Sequence, residues 1–169
     1  MKLDTILKTA LLSGIVAFSL VSCNSDIDPV YIQPSDEISL DGASGDIILT
    51  PDNPQALAMT IYWSGNGKLT LSDTLLQAPV NAAEETIQLS KDESFSSTID
   101  LSVAKGVRSH QFLCEELNSL LGRLDYNVDE KSPLYIRIKS ALAANMEASY
   151  SSTLAVMVQP YRIHLTLGP

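Results

Sequence analysis

Apolar and polar residues alternate with a period of two along several short stretches of the chain, as they do in half-buried β-strands. In "ALAMTIYWS", residues 56–64, the side chains of Leu57, Met59, Ile61 and Trp63 share one face. The opposite face is also largely apolar, so this strand is expected at the centre of a sheet. The same reasoning predicts strands at 45–50, 86–90, 94–103, 134–142 and 152–165, the last with a break at Pro160.

Two of these strands have inward faces that can be assigned residue by residue. The strand at 134–142 is expected to turn four side chains toward the core: Leu134, Ile136, Ile138 and Ser140. The strand at 94–103 alternates in the same way and, apart from Ser97, is expected to turn Phe95, Ile99, Leu101 and Val103 inward.

One segment, "SHQFLCEELNSLLGRLDYN" at 109–127, breaks the two-residue period. Its leucines recur at i, i+4, i+7, i+8 and i+11, which is the spacing of one helical face. The pattern predicts a short helix that covers one end of the core, with Cys114 buried on the same face. The leucines of that face are Leu113, Leu117, Leu120, Leu121 and Leu124.

Short strands separated by turn residues, with a single helix, indicate an all-β fold. We expect an immunoglobulin or fibronectin type III-like β-sandwich of about seven strands with one short helix. The folded domain is expected to span 37–169.

The first 22 residues have the pattern of a secretory signal: two early lysines and then 14 uncharged residues, too few to span a bilayer comfortably. Leu20, Val21 and Ser22 precede Cys23 in the arrangement of a bacterial lipobox. Cleavage between Ser22 and Cys23 leaves the cysteine as a new N-terminus carrying diacylglycerol and acyl groups, which anchor a protein to a membrane. The alternative is an ordinary signal peptide with a chance cysteine.

Residues 23–36 are polar, include two prolines, and are expected to form a lipidated tether. The signal contains two lysines and one aspartate, so its removal leaves 9 basic and 19 acidic residues and changes the net charge from −9 to −10. Nucleic-acid binding needs a basic surface, and this composition excludes it. Apart from the acyl groups on Cys23, no cofactor is expected.

The sequence offers no recognisable catalytic constellation, so we predict that the protein is not an enzyme. His110 and His164 are far apart and lack metal-ligand spacing, and no metal site is expected. The adjacent acidic pairs Glu84–Glu85 and Glu115–Glu116 are expected to diverge instead of flanking one substrate bond. Cys114 lies beside acidic residues that disfavour its thiolate, so it is interpreted as core filler.

Aromatic side chains can hold sugars by stacking on their apolar faces. The single tryptophan, Trp63, follows the apolar face of its strand and is therefore predicted to lie in the core. Tyr62, Tyr135 and Tyr161 are the possible glycan contacts, and they could form a platform if they met on one outer sheet face.

The order of elements resembles a known family. The lipobox signal, "YWSGNGKLTLSD", "TIQLSKDESFS", "LCEELNSLLGRL", "LYIRIKSAL" and "VMVQPYRI" are similar to the N-terminal immunoglobulin-like domain of SusE-type outer-membrane lipoproteins, over about residues 36 to 163. These proteins belong to starch-utilisation-like glycan uptake systems of Bacteroidota. The resemblance implies a spacer role, because glycan binding in the family lies mainly in later carbohydrate-binding domains that have no counterpart in these 169 residues.

The resulting expectation is a lipid-anchored, non-enzymatic accessory or scaffold domain at the outer membrane, with the cell-surface face favoured over the periplasmic face. Its implied partners are a TonB-dependent transporter and the partner lipoprotein of that transporter. A direct carbohydrate-binding module, with glycan as the partner, is the first alternative, and a surface adhesion or assembly subunit is the second. Neighbouring transporter genes would favour the first two readings, and pilus or adhesin genes the third.

Overall fold

A computed structural model describes residues 32–34, 37–42, 45–64, 69–71, 82–142 and 147–162. The predicted signal, including Ser22, and the tether from Cys23 to residue 31 lie outside this part of the chain, as does His164. The described residues form eleven strands and one helix: β1 (Ile32–Pro34), β2 (Leu40–Gly42), β3 (Ile47–Ile48), β4 (Leu57–Trp63), β5 (Leu69–Leu71), β6 (Glu84–Ser90), β7 (Ile99–Ser102), β8 (Ser109–Leu113), α1 (Cys114–Arg123), β9 (Ser132–Ala141), β10 (Ser149–Tyr150) and β11 (Leu154–Gln159).

Nine of these strands form two sheets. The smaller sheet has the order β2-β4-β8, and the larger has the order β3-β11-β9-β6-β7, with β10 also paired to β9. Strands β1 and β5 pair separately, and among the strands of the described residues only the β3–β11 pairing is parallel. Placing β4 and β8 in one sheet and β6, β9 and β11 in the other is the arrangement of immunoglobulin sandwiches. The predicted all-β sandwich with one short helix is confirmed.

The inner faces of the two sheets share one hydrophobic core. The predicted inward face of β9 is confirmed, because Leu134, Ile136 and Ile138 are completely buried and Ser140 is 2% exposed. Helix α1 covers one end of this core. It buries Cys114, the free cysteine of the described residues, together with Leu117, Leu120 and Leu121.

The helix begins later than its sequence pattern indicates. Ser109–Leu113 form β8, which pairs with β4, so Leu113 ends a strand instead of contributing to the helical face. At the start of α1 the N–H groups of Cys114 and Glu115 donate to the carbonyls of Ala56 and Pro54, at 2.9 and 3.0 Å. These bonds satisfy two of the donors that a helix N-terminus leaves free and tie α1 to the entrance of β4.

Two predicted inward residues lie elsewhere. The register of β4 against β8 shifts between Leu57 and Met59, and this irregularity leaves Leu57 56% exposed. The strand predicted at 94–103 begins only at Ile99. Phe95 belongs to the preceding loop, has φ 54°, and is buried outside the central core cluster.

A buried carboxylate joins the two sheets. Trp63, 5% exposed as predicted for a core residue, extends from β4 and donates its indole N–H to Oε2 of Glu85 at 2.7 Å. Glu85 is 7% exposed and lies on β6, on the same inner face as Ile87 and Leu89. Arg108, which precedes β8, contacts the same carboxylate oxygen through Nη1 at 2.5 Å. Charge and hydrogen bonding together compensate for the burial of the carboxylate.

We expect Trp63→Ala to lower the free energy of unfolding by about 3–5 kcal/mol, because it removes a large core side chain. Trp63→Phe keeps most of the volume but removes the donor to Glu85, and should lower it by about 1–3 kcal/mol. Denaturant titration would measure both changes. The adjacent exposed Tyr62 provides the control, since Tyr62→Ala should remain within about 0.5 kcal/mol of wild type. A Trp63→Ala change no larger than this control would contradict the core position.

Candidate functional site

Tyr62 and Tyr135 lie on outer faces of different sheets. Tyr62 is on β4, is 57% exposed, and has Asp41 and Ser109 as its cross-strand neighbours. Tyr135 is on β9, is partly buried, and lies opposite Ser90. The outer faces of a sandwich point in opposite directions, so these two side chains do not meet on one face.

Tyr161 lies at a third location, just after β11 and beside helix α1. The side-chain amide of Asn118 donates to the Tyr161 carbonyl at 3.1 Å and accepts from the Tyr161 N–H at 2.8 Å. Burial, together with the nearby Glu115 and Cys114, raises the pKa of the Tyr161 phenol. The three predicted contacts are therefore not brought together, and each has its own surroundings.

Tyr161 lines an open groove of about 350 Å³. The groove combines an aromatic side chain with polar groups, as sugar-binding surfaces do. Sequence reasoning did not find it, because its walls come from the helix, the loop after the helix and the end of β11. The lining residues are Asn118, Ser119, Gly122, Arg123, Tyr126, Val128, Pro160 and Tyr161.

Tyr126 lines this groove as a buried residue that is fixed by the fold. It is 6% exposed, and its hydroxyl donates to the Pro133 carbonyl at 2.6 Å. Burial, with a smaller contribution from Tyr135, raises the pKa of Tyr126 above its ordinary value. Gly122 lies where the groove is open, because no atom lies within 4 Å of the position that a Cβ would occupy at this residue.

A second group of side chains, around Arg137, was not predicted from the sequence. The guanidinium of Arg137, on the outer face of β9, lies between the rings of Phe95 and Tyr150, with its central carbon 4.0 Å from each ring centroid. Its Nε donates to Oε1 of Gln88 at 2.9 Å. The alternation in β9 places Arg137 outward, but the two rings come from a loop and from β10, and no local pattern links them.

The loop carrying Phe95 is held by Asp92. Its carboxylate accepts hydrogen bonds from the hydroxyls of Ser94, Ser96 and Ser90, and from the N–H of Ser96. The Ser94 hydroxyl, followed by the two donors of Ser96, holds the pKa of Asp92 well below its usual range. The ionised carboxylate therefore orders the turn that positions Phe95.

The titratable residues considered for catalysis occupy other positions. Glu84 is exposed while Glu85 is buried, so this acidic pair diverges along β6 as expected. His110 packs edge-on against Phe112, with ring centroids 4.4 Å apart, and its Nε2 lies 3.4 Å from Oε1 of Glu116. Within the described ranges, no group of three or more His, Cys, Asp or Glu side chains is arranged to hold a metal ion.

The model of the SusE outer membrane protein family matches residues 25–139, which is more than half of the chain. The chain belongs to the SusE outer membrane protein family. Membership identifies it as an outer-membrane component of a Sus-like glycan utilisation system. The match includes the Asp92 loop, Phe95 and Arg137, and ends before Tyr150 and the Tyr161 side of the groove.

Comparison with curated proteins and with solved structures found no match. Among the described residues, no helix has the length and apolar character required to cross a bilayer.

The Asp92 turn makes a pH-dependent contribution that can be measured. Because the pKa of Asp92 is lower in the folded chain than in the unfolded chain, its contribution is complete above about pH 5 and is lost as pH falls through about 4 and below. Wild type should be more stable than Asp92→Asn at pH 7, and this difference should shrink at pH 3. Urea titrations of both proteins at the two pH values would measure it. A difference independent of pH would contradict the role of the ionised carboxylate.

Proposed function

We propose that this protein is a lipid-anchored, non-enzymatic accessory scaffold of a Sus-type glycan uptake system. The observation that carries the proposal is the family match, which starts at residue 25, two residues after the lipobox cysteine Cys23. In this arrangement acyl groups on Cys23 hold the sandwich at the outer membrane, on its cell-surface face, beside a TonB-dependent transporter and the partner lipoprotein of that transporter.

The non-enzymatic part of the proposal is supported by what the acidic and cysteine side chains do in the fold. Glu85 binds the indole of Trp63 and the guanidinium of Arg108, and so joins the two sheets. Cys114 is buried at the start of α1. Both side chains are engaged in stabilising the sandwich and are withdrawn from solvent, where a substrate would have to reach them.

Cys23→Ala should abolish lipidation and move the protein from the detergent phase to the aqueous phase on phase separation of membranes. Cys114→Ala is the matched control, since it changes the other cysteine and should leave the protein in the detergent phase. Metabolic labelling with an alkyne fatty acid gives a direct readout of the acyl groups. A Cys23→Ala protein that stays in the detergent phase and carries label would contradict the anchor.

The scaffold role predicts a physical association that does not require glycan. The full chain, purified from detergent-solubilised membranes, should retain a TonB-dependent transporter or its partner lipoprotein, and protease treatment of whole cells should remove it. Association with the transporter would be contradicted if the chain, with its anchor intact, purified without either of these proteins even under the mildest solubilisation.

Direct glycan binding is the second candidate, and the groove at Tyr161 is the observation that favours it. For the scaffold we expect affinities for starch-like and levan-like glycans no tighter than about millimolar, or about 4 kcal/mol. Micromolar affinity would favour the binding module if Tyr161→Ala and Gly122→Leu both removed it. Gly122→Leu blocks the open side of the groove, and Val107→Ala, at an exposed residue outside the groove, is the control.

A further inference from the structure

The side chain of Arg137 is restrained by its backbone in β9 and by two aromatic rings. Its two neighbours in β9, Ile136 and Ile138, are completely buried, so its own backbone is fixed by the core. The rings of Phe95 and Tyr150 contact its guanidinium, each with the centroid 4.0 Å from the central carbon. Contacts on two rings restrict the rotation of a side chain that is otherwise among the most flexible.

The two rings are themselves anchored. Tyr150 lies on β10, where its backbone pairs with Lys139. Phe95 adopts φ 54°, an unusual conformation for a bulky residue, and the Asp92 turn beside it supplies the hydrogen bonds that hold the loop. Both ring positions are therefore set by the fold and do not depend on a ligand.

Only one end of the guanidinium is engaged. Nε of Arg137 donates to Gln88, and Nε2 of Gln88 donates to Oδ1 of Asp100 at 3.0 Å, in a row that crosses β9, β6 and β7. Asp100 is further satisfied by the Thr98 hydroxyl at 2.8 Å. Among the described residues, no acceptor is hydrogen-bonded to the terminal amino groups of Arg137. The pair of donors that a guanidinium presents to planar anions is thus left for a ligand.

Two positive side chains lie together on this part of the outer face in spite of the acidic composition. Lys139 follows Arg137 on the same face of β9, and the two carry adjacent positive charges. Glu84, which is exposed on the same face of β6, pairs with Ala141 and so lies beyond Lys139. Asp100 lies two strands away, about 10 Å at the usual strand spacing, and is occupied by Gln88 and Thr98. At physiological ionic strength, exposed charges farther than about 8 Å are largely screened, so the net charge of −9 does not decide binding at this site.

We propose that this surface, formed by Arg137, Tyr150, Phe95, Gln88 and Lys139, binds the carboxylate of a uronic acid residue in an acidic glycan. The terminal amino groups of Arg137 take the carboxylate through two parallel hydrogen bonds, and the ring of Tyr150, a residue that is 47% exposed, stacks on the sugar. The inference rests on the proposed role in glycan uptake and adds a class of glycan to it.

A sugar acid accounts for the surroundings better than a carboxylate of a protein partner does. The guanidinium alone is enough to bind the carboxylate of an aspartate or glutamate of a protein partner, and no aromatic surface is required. The exposed Tyr150 ring beside it, with Tyr135 farther along the same face of β9, provides the aromatic surface on which a pyranose rests.

Binding of trigalacturonate to the full chain in detergent micelles tests the proposal by calorimetry and by NMR. We expect binding that weakens as salt is raised, with amide shifts centred on β9, β6 and β10. Methyl esterification of the same trisaccharide, which blocks its carboxylates, should weaken binding at least about tenfold. Arg137→Lys keeps the charge but not the paired donors, and should also weaken binding at least about tenfold.

Arg162→Met is the matched control, because it removes one exposed positive charge away from this surface and should leave affinity within about twofold. Equal affinity for the methyl ester, equal affinity of Arg137→Lys, or shifts centred on the Tyr161 groove would each overturn the proposal. Binding of an oligoglutamate peptide without binding of trigalacturonate would overturn it in favour of a protein partner. Loss of the transporter association alone would contradict the scaffold role and leave this site intact.

Discussion

The arrangement of the two sheets depends on the contacts that the buried carboxylate of Glu85 makes with Trp63 and Arg108. This carboxylate lies between the sheets, on β6, and accepts from Trp63 of the smaller sheet and from Arg108, just before β8. An ionised carboxylate removed from water is strongly unfavourable unless its oxygens are paired. The native position of β4 over β6 provides this pairing, whereas a slipped packing would leave the charge buried and alone. Apolar contacts alone tolerate such slippage, so the buried carboxylate adds specificity to the hydrophobic core.

With the inner faces committed to the core, ligand chemistry is confined to the outer faces and to the end of the sandwich near α1. The outer face of β9 is the most organised of these surfaces, because the strand is paired on both edges and alternates without interruption between core and solvent. The groove near Tyr161 is held instead by hydrogen bonds between segments outside the sheets. The Asn118 amide joins α1 to the chain after β11, and the Asp129 N–H donates to the Pro160 carbonyl at 3.0 Å. The two surfaces therefore differ in which parts of the fold hold them.

Sequence patterns predicted the elements whose environment is decided locally. The alternation of β9, the apolar face of β4 from Met59 to Trp63 and the buried face of α1 are confirmed, because each side chain takes the burial that its strand or helix position dictates. The failures involve nonlocal partners. Pairing with β4 made Ser109–Leu113 a strand although the leucine spacing favoured a helix, and a register irregularity exposed Leu57. Neither the groove nor the Arg137 surface could be predicted, since each joins segments far apart in sequence.

Phe95 shows how stability and binding are linked in this fold. Hydrophobic alternation would place its ring in the core as part of a longer strand. The Asp92 turn instead begins a loop, and the ring packs against the guanidinium of Arg137 on the opposite side of the sheet. A phenylalanine used only for stability would be better placed among aliphatic side chains, where more of its surface contacts apolar atoms. Because the ring packs against the guanidinium of Arg137, it holds that charged group in a fixed orientation before a ligand binds. A fixed orientation reduces the conformational entropy that is lost on binding. The position of Phe95 is thus more consistent with a prepared binding surface than with core packing alone.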